Sequence, residues 1–355
     1  PFYVELQGAK QSPKQSEAAE FFVQWCDERL ATSNTNAQLN SEQLAEVVKP
    51  WLEARAFWLT KADEGRADGS QIRPPSDARD IGEWLNDMLD HTFTRDEMRQ
   101  VTGFDAARLA AELERLPRRA RQAGRVHITP YPGGRHPRIG FLEGALAPQR
   151  ETKVSVFTPW DPGSYVVVDV PEAIWSNLGL TYLAHTHIDT IWDQQGTRLP
   201  PLEWTRHPDG SLSHERTLPN GIAFGAKVIA HERHVELELW LRNGTPGKLT
   251  DLRIQNCVML KGAAGFAAQS NANKRLESPF AAAHSEDGRR WVITAWERCQ
   301  RPWANPPVPC IHSDPQFPDL PPGETGRLKG WLWFYEGTDL DSELARHRAA
   351  RPELR

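Results

Sequence analysis

The strongest constraint on the fold of this chain is a change of sequence pattern after Pro117. Beyond that point, short runs rich in β-branched and aromatic residues alternate with Gly, Pro, Asn and Asp, and no long helical periodicity lies between them. We therefore predict antiparallel sheets packed face to face. The predicted strands are residues 125–129, 152–157, 165–170, 181–188, 222–229, 235–241, 252–260, 291–296 and 328–335.

Before Pro117 the pattern is helical. Residues 2–6 resemble a short strand, and apolar residues then recur with helical spacing over 16–30 and 41–63. Pro50 interrupts the second of these helices and is expected to kink it. The pair predicts an antiparallel helical hairpin.

A further helix is predicted over residues 77–89, and a helix–turn–helix follows it. Thr94 and Glu97 have the spacing of a capping box. Gly103 is expected to end that helix, and Asp105 can cap the next one.

The predicted fold class is therefore α+β, with a helical N-terminal region and an antiparallel β-sandwich of mutarotase-like or jelly-roll-like type. A chain of 355 residues exceeds the roughly 250–300 residues that one core usually serves. We predict a helical region over 1–120 (the hairpin and the helix–turn–helix), a sandwich over 121–337, and a C-terminal helix or tail over 338–355.

Tryptophan is unusually frequent, with 14 residues against 5 tyrosines, and most of them lie in the predicted sandwich. A tryptophan ring either fills a core or offers a flat surface on which a sugar can stack. Trp192, Trp204 and Trp303 are the candidates for sugar stacking, and burial in the sandwich core is the alternative for each.

The most pointed motif is the run from Gly179 to Asp193, which contains His185, His187 and Asp189. Alternate residues of a strand share one face, so these three side chains would project together. Two imidazoles and a carboxylate suit a divalent transition metal. We therefore assign His185, His187 and Asp189 as metal ligands. His185, His187 and Glu203 are the candidate catalytic groups; structural histidines at a sheet edge are the alternative.

A second candidate site is the proline-rich stretch 296–314, which we expect to be a long ordered loop. Long loops on β scaffolds often carry binding residues, and Trp303, His312 and Asp314 are the substrate-binding candidates here. Cys299 and Cys310 bracket this stretch and either form a disulfide or remain buried thiols.

The formal net charge of −5 argues against a polycation that wraps nucleic acid. Five arginines, from Arg115 to Arg125, follow the helix–turn–helix, but its second helix is poor in side chains that read bases. A DNA-binding regulator is therefore the weakest alternative. No apolar run is long enough to span a membrane.

The first 60 residues, with PFYVELQGAKQSPKQSEAAEFFVQWCDERL and then LEARAFW, resemble the segment after the catalytic domain of CehA/McbA-type bacterial metallohydrolases. The family's metal-binding histidine motifs are not present in this segment. The resemblance implies a strand leading into a helical hairpin within a larger secreted, extracellular or periplasmic protein. Because the chain opens on Pro1, we expect it to be a piece of that longer protein.

Residues 218–262, LPNGIAFGAKVIAHERHVELELWLRNGTPGKLTDLRIQNCVMLKG, resemble the central strands of galactose-mutarotase-like sandwiches. That resemblance implies sugar substrates handled by histidines and carboxylates on the concave sheet face. The sequence as a whole predicts a protein that binds or modifies a carbohydrate or small molecule, with a metal assisting. The main alternative is a non-catalytic assembly module that contacts other chains or domains of a larger extracellular protein.

Overall fold

The computed structural model describes residues 75–122, 124–133, 151–184, 188–306 and 308–354. The predicted strand 2–6, the helices 16–30 and 41–63, and the segment resembling CehA/McbA-type proteins lie outside these residues. The described helices are α1 (Ala78–Asp90), α2 (Arg95–Thr102), α3 (Ala106–Arg115), α4 (Ile191–Gln194) and α5 (Leu340–Ala350).

Helices α2 and α3 begin at the predicted capping residues, and α1 begins directly after Asp77, where its predicted range starts. Asp77 caps α1 by accepting a hydrogen bond from a backbone N–H of its first turn. Thr94 and Glu97 form the predicted capping box of α2, and Gly103 ends that helix with φ at 69°. Asp105 then caps α3. Local sequence thus determines where these helices start and stop, as the side chain–backbone hydrogen bonds require.

The rest of the described chain is mainly antiparallel β-structure in two sheets, as the sequence predicts. The strands are β1 (His127–Pro130), β2 (Lys153–Phe157), β3 (Tyr165–Ser176), β4 (Gly179–Leu183), β5 (Thr205–Arg206), β6 (Leu212–Thr217), β7 (Ala223–Ala230), β8 (His234–Arg242), β9 (Arg253–Met259), β10 (Lys274–Glu277), β11 (Phe280–His284), β12 (Arg290–Trp296), β13 (Cys299–Trp303), β14 (Cys310–Pro315) and β15 (Thr325–Glu336). Sheet A has the order β1-β2-β3-β9-β14-β13, with β4 paired to β3. Sheet B has the order β10-β11-β12-β15-β8-β7-β6-β5.

Strand β8 shows how sequence alternation builds the sandwich. Val235, Leu237, Leu239 and Leu241 are buried in the core between the sheets, and the residues between them point to the outer face of sheet B. Sheet A contributes the alternating valines of β2 and β3 to the same core. Burial of this continuous apolar layer is the main stabilising contribution to the two-sheet arrangement.

Helix α1 lies against the outer face of sheet A. The indole N–H of Trp84 donates to the carbonyl of Pro132 at 2.8 Å, and His91 Nε2 lies 2.6 Å from Ser155 Oγ. The fully buried carboxylate of Asp87 forms ion pairs with Arg119 and with Arg206 of β5. Arg119, one of the five arginines that follow the helix–turn–helix, is therefore engaged in internal ion pairs, which weakens the DNA-binding alternative further.

Helix α5 covers one end of the outer face of sheet B. Leu340 and Leu344 pack there with Trp331 and Trp333. The remaining outer face of sheet B, on β6, β7, β8 and the first half of β15, lies outside that cluster. Among the described helices, none is long and apolar enough to cross a membrane.

Two predictions of local structure are wrong. The stretch 296–314 is not a long loop, because β13 and β14 pair within it. Pro302 is tolerated because β13 is the edge strand of sheet A. On the open side of an edge strand, no neighbouring strand needs a hydrogen bond from the N–H that proline lacks. The predicted strand 181–188 ends at Leu183, so strand alternation does not extend to Asp189.

Candidate functional site

A row of chemically active side chains crosses the outer face of sheet A. The antiparallel register places these residues directly opposite one another on five successive strands, from β2 to β13. Their sequence neighbours Val168, Val258 and Ile311 point into the sandwich core, so the row faces the other way. The row consists of Lys153, Asp169, Cys257, His312 and Trp303.

His312 is the centre of this row and is only 1% exposed. Its Nε2 lies 3.2 Å from the sulfur of Cys310, two residues earlier on the same face of β14. Its Nδ1 lies 3.8 Å from carboxylate oxygens of both Glu172 and Asp314. Burial opposes the imidazolium, but the Cys310 sulfur and the two carboxylates outweigh it and raise the pKa of His312 to about 9.

Asp314 is held by neighbours on three sides. It accepts hydrogen bonds from the backbone N–H of Asn256 and from the indole N–H of Trp303, and Arg301 lies 3.5 Å away. Burial raises the pKa of Asp314 to about 6, although His312 and the hydrogen bonds act in the opposite direction. The ring of Trp303 stacks on His312 with centroids 3.9 Å apart. One face of this indole is therefore covered by His312 and is not open to a ligand.

Three atoms of ligand type converge beside His312. The sulfurs of Cys257 and Cys310 and a nitrogen of His312 all lie within 4.8 Å of one another, and all three residues are buried. We call these three residues the thiol–imidazole cluster. No disulfide joins Cys299 to Cys310: β13 pairs Cys299 with Pro315, five residues beyond Cys310, which is too far for a disulfide.

Only some of the residues predicted for function lie together in the structure. Trp303, His312 and Asp314 lie together, as described. Trp192 and Trp204 are buried, and the indole N–H of Trp192 donates to the carbonyl of Thr181, so neither ring is displayed on the surface.

Asp189 and Glu203 are exposed, and His185 and His187 lie outside the described residues. Sequence reasoning missed Cys257, Cys310 and Glu172. The run Cys310-Ile-His312-Ser-Asp314 carried a usable signal, because alternation in a strand places its three chemical groups on one face.

A second surface of interest is the open part of the outer face of sheet B. Trp240 of β8 lies against Gly225 of β7, since a β-carbon on that glycine would come within 2.7 Å of indole Cζ2. The indole is half-buried and is flanked by the ion pair of Arg327 and Glu238. The depression around it has a volume of about 360 Å³. Its lining is Thr205, His207, Ser213, His214, Glu215, Ala226, Lys227, Glu238, Trp240 and Arg327.

A third cluster lies in the turn between β7 and β8. The rings of His231 and His234 stack with centroids 4.4 Å apart, and their Nε2 atoms lie 3.5 Å and 3.8 Å from Glu236. Residues three apart in a strand would face opposite sides of the sheet, but His231 precedes β8, which begins at His234, so the two rings can meet. Burial, and then the charges of His231 and Arg351, lower the pKa of His234 to about 4. The nearby Arg351 disfavours a cation there.

Comparison with known proteins gives only distant likenesses. No family model matches the chain, and no curated protein matches it. A candidate aldose 1-epimerase from Escherichia coli K12 is similar over 39% of this chain and 69% of its own, with 10% identity and a TM-score of 0.31. A candidate kojibiose phosphorylase from the human microbiome is similar over 53% of this chain and 25% of its own, with 6% identity and a TM-score of 0.32.

The heparan sulfate lyase of Pedobacter heparinus is similar over 95% of this chain, with 8% identity and a TM-score of 0.30. The chain spans about half of that enzyme's length, 55%. All three are proteins of carbohydrate metabolism by name. At these identities and TM-scores, however, the likenesses carry no argument about the function of this chain.

Proposed function

We propose that this chain is a carbohydrate-related β-sandwich protein, of mutarotase-like type, that binds a sugar on the open outer face of sheet B. The observation that carries the proposal is the position of Trp240 against Gly225. Because this glycine has no side chain, the indole lies close to the sheet and its orientation is restricted. A half-buried, immobilised aromatic ring is the surface on which the apolar face of a sugar ring stacks.

The polar groups around Trp240 suit the hydroxyls of a sugar. Glu238 and Arg327 lie beside the ring as a cross-strand ion pair, and Glu215 and Lys227 are exposed on the neighbouring strands. Carboxylates accept and guanidinium or ammonium groups donate hydrogen bonds, so both roles of a hydroxyl can be satisfied. A depression of about 360 Å³ lies in the range of small-molecule sites.

Trp240 is a better stacking candidate than the tryptophans predicted from the sequence. Trp192 and Trp204 are buried in the core, and Trp303 stacks on His312 while its N–H is held by Asp314. The proposal assigns binding to Trp240 and assigns no reaction.

Calorimetric titration of the full chain with a panel of neutral and acidic mono- and oligosaccharides tests the proposal. We expect at least one sugar to bind and W240A to weaken its affinity by tenfold or more, because the variant removes the stacking surface; tenfold corresponds to about 1.4 kcal/mol. W175A is the matched control, because Trp175 is also a half-buried indole on a sheet face, where it contacts Arg253. Equal affinity in W240A and the parent would contradict the proposal, as would no binding by the parent to any sugar of the panel.

A further inference from the structure

We propose that Cys257, Cys310 and His312 bind one transition-metal ion, zinc by preference, in a buried site on the outer face of sheet A. This site is separate from the sugar surface proposed above and does not depend on it.

The distances between the ligand atoms fit one tetrahedral ion. Zinc holds sulfur at about 2.3 Å and imidazole nitrogen at about 2.0–2.1 Å, which places neighbouring ligands about 3.5–3.8 Å apart. The three atoms of the thiol–imidazole cluster all lie within 4.8 Å of one another, and Cys310 Sγ is 3.2 Å from His312 Nε2. Small side-chain rotations therefore bring all three to ligand distance.

The sheet holds these ligands in place. Cys257 of β9 is directly opposite His312 of β14, and Cys310 precedes His312 by two residues on the same face. Both strands are interior to sheet A, with β3 on one side and β13 on the other. Ligands on paired strands need little rearrangement to bind an ion, unlike ligands on separate loops.

The surroundings of His312 match those of a metal-binding imidazole. Its Nε2 faces the thiol, while its Nδ1 faces the carboxylates of Glu172 and Asp314 at 3.8 Å. Metal-ligating histidines usually direct their second nitrogen to a carboxylate, which fixes the ring and increases its basicity. The Gln255 amide donates to Glu172 at 2.7 Å, and the backbone N–H of Asn256 donates to Asp314, so both carboxylates are themselves oriented.

The ligand types indicate which metal would bind. Two cysteine sulfurs and an imidazole favour zinc, and they disfavour magnesium and calcium, which require oxygen ligands. A divalent ion would also neutralise two thiolates, and a buried charge without compensation is costly. All three residues are almost completely buried, and they would supply three of the four positions of a tetrahedral ion. The ion would therefore fasten β9 to β14.

The test measures metal in the full chain, purified under reducing conditions. We expect about one zinc per chain by elemental analysis. After removal of zinc by a chelator, Co²⁺ should give the thiolate-to-metal charge-transfer and visible bands of a tetrahedral sulfur site. C257S, C310S and H312Q should each reduce zinc affinity by tenfold or more, since loss of an outer-shell partner alone costs about 10–100-fold and each of these variants removes a direct ligand.

Two controls separate this site from other metal binding. C299S removes a half-buried thiol of the same sheet that lies outside the cluster, and it should retain zinc. A double variant H231Q/H234Q removes the surface histidine pair and should also retain the tight zinc. If a cluster variant fails to fold, as judged by circular dichroism, the proposal is tested by the Co²⁺ spectrum of the parent. Thiolate-to-metal bands support the site, and their absence contradicts it.

Three results would overturn the proposal. They are a parent that binds neither zinc nor Co²⁺ with thiolate bands, zinc affinity unchanged in a folded C310S, and a Cys257–Cys310 disulfide in protein kept under reducing conditions. None of these results bears on sugar binding at Trp240, and loss of sugar binding would leave the metal result unaffected.

Discussion

His214 should make the stability of this protein decrease as the pH falls from neutral to mildly acidic. The imidazole lies on β6, is 4% exposed, and packs edge-on against Trp204. Its Nε2 lies 2.7 Å from the carbonyl of Val170, which requires the proton to be on that nitrogen. Burial lowers the pKa of His214 to about 4, and Arg216 adds to the effect.

The direction of the pH effect follows from that depressed pKa. In the unfolded chain His214 takes up a proton near its ordinary pKa of about 6.5, whereas in the folded chain it stays neutral until about pH 4. The unfolded state therefore binds more protons between these values, and the free energy of unfolding decreases as the pH falls. The contribution of this residue is about 2 kcal/mol between pH 7.5 and pH 5 and about 3 kcal/mol in total.

Urea denaturation followed by tryptophan fluorescence measures this contribution in the parent and in H214Q. Glutamine places an N–H donor close to the position of Nε2, so it can still donate to Val170, but it does not titrate. H214Q will be less stable at neutral pH because its packing against Trp204 is poorer. Its free energy of unfolding should nevertheless fall by about 2 kcal/mol less than that of the parent between pH 7.5 and pH 5.

A variant of a histidine outside the core is the control for the pH effect of H214Q. H207Q serves, because His207 is half-buried in the open depression, where its Nε2 lies 2.8 Å from Ser213 Oγ. A difference between parent and H214Q that is the same at both pH values would refute the account. So would an equal pH effect in H207Q, because the effect would then not come from burial in the sandwich core.

Two further predictions concern local stability and the location of the metal. T94A should lower the free energy of unfolding of the helical region by about 1 kcal/mol, because Thr94 and Glu97 form both halves of the capping box. Replacement of an exposed threonine outside any capping box is the control and should leave that free energy unchanged. If the metal is bound by His185 and His187, as the sequence predicts, H185Q/H187Q should lose zinc and C310S should retain it. If the thiol–imidazole cluster binds the metal, C310S should lose zinc and H185Q/H187Q should retain it. Elemental analysis of the two variants distinguishes these hypotheses.

Much of the sandwich was predictable because its core strands alternate strictly. The predicted run 235–241 agrees with β8, where every second residue is buried. Strand β11 was missed because Phe280-Ala-Ala-Ala-His284 has little β-propensity of its own. Its alanines are completely buried, Ala281 and Ala283 in the core between the sheets and Ala282 in the cluster under α5, so tertiary packing, which no local pattern reveals, determines this strand.

The candidate sites were predictable only where their residues are close in sequence. Trp303, His312 and Asp314 fall within one short stretch, and they do lie together, although on paired strands instead of a loop. Cys257 is more than fifty residues away from them in sequence. Its position beside His312 follows from the β9–β14 register, which is a long-range pairing. Glu172 likewise reaches the site through β3 and gave no local signal.

The two outer faces of the sandwich support different roles because their exposure differs. On sheet A the polar row is mostly buried, so its charges must be compensated inside the protein, as Lys153 and Asp169 compensate each other at 3.7 Å. On sheet B the surface around Trp240 is open, so a ligand can enter and leave without unfolding. The residues of the thiol–imidazole cluster lie on β9 and β14, whereas Gly225, Trp240 and Arg327 of the sugar surface lie on β7, β8 and β15. Since no strand contributes to both sites, each can be removed by mutation without direct damage to the other.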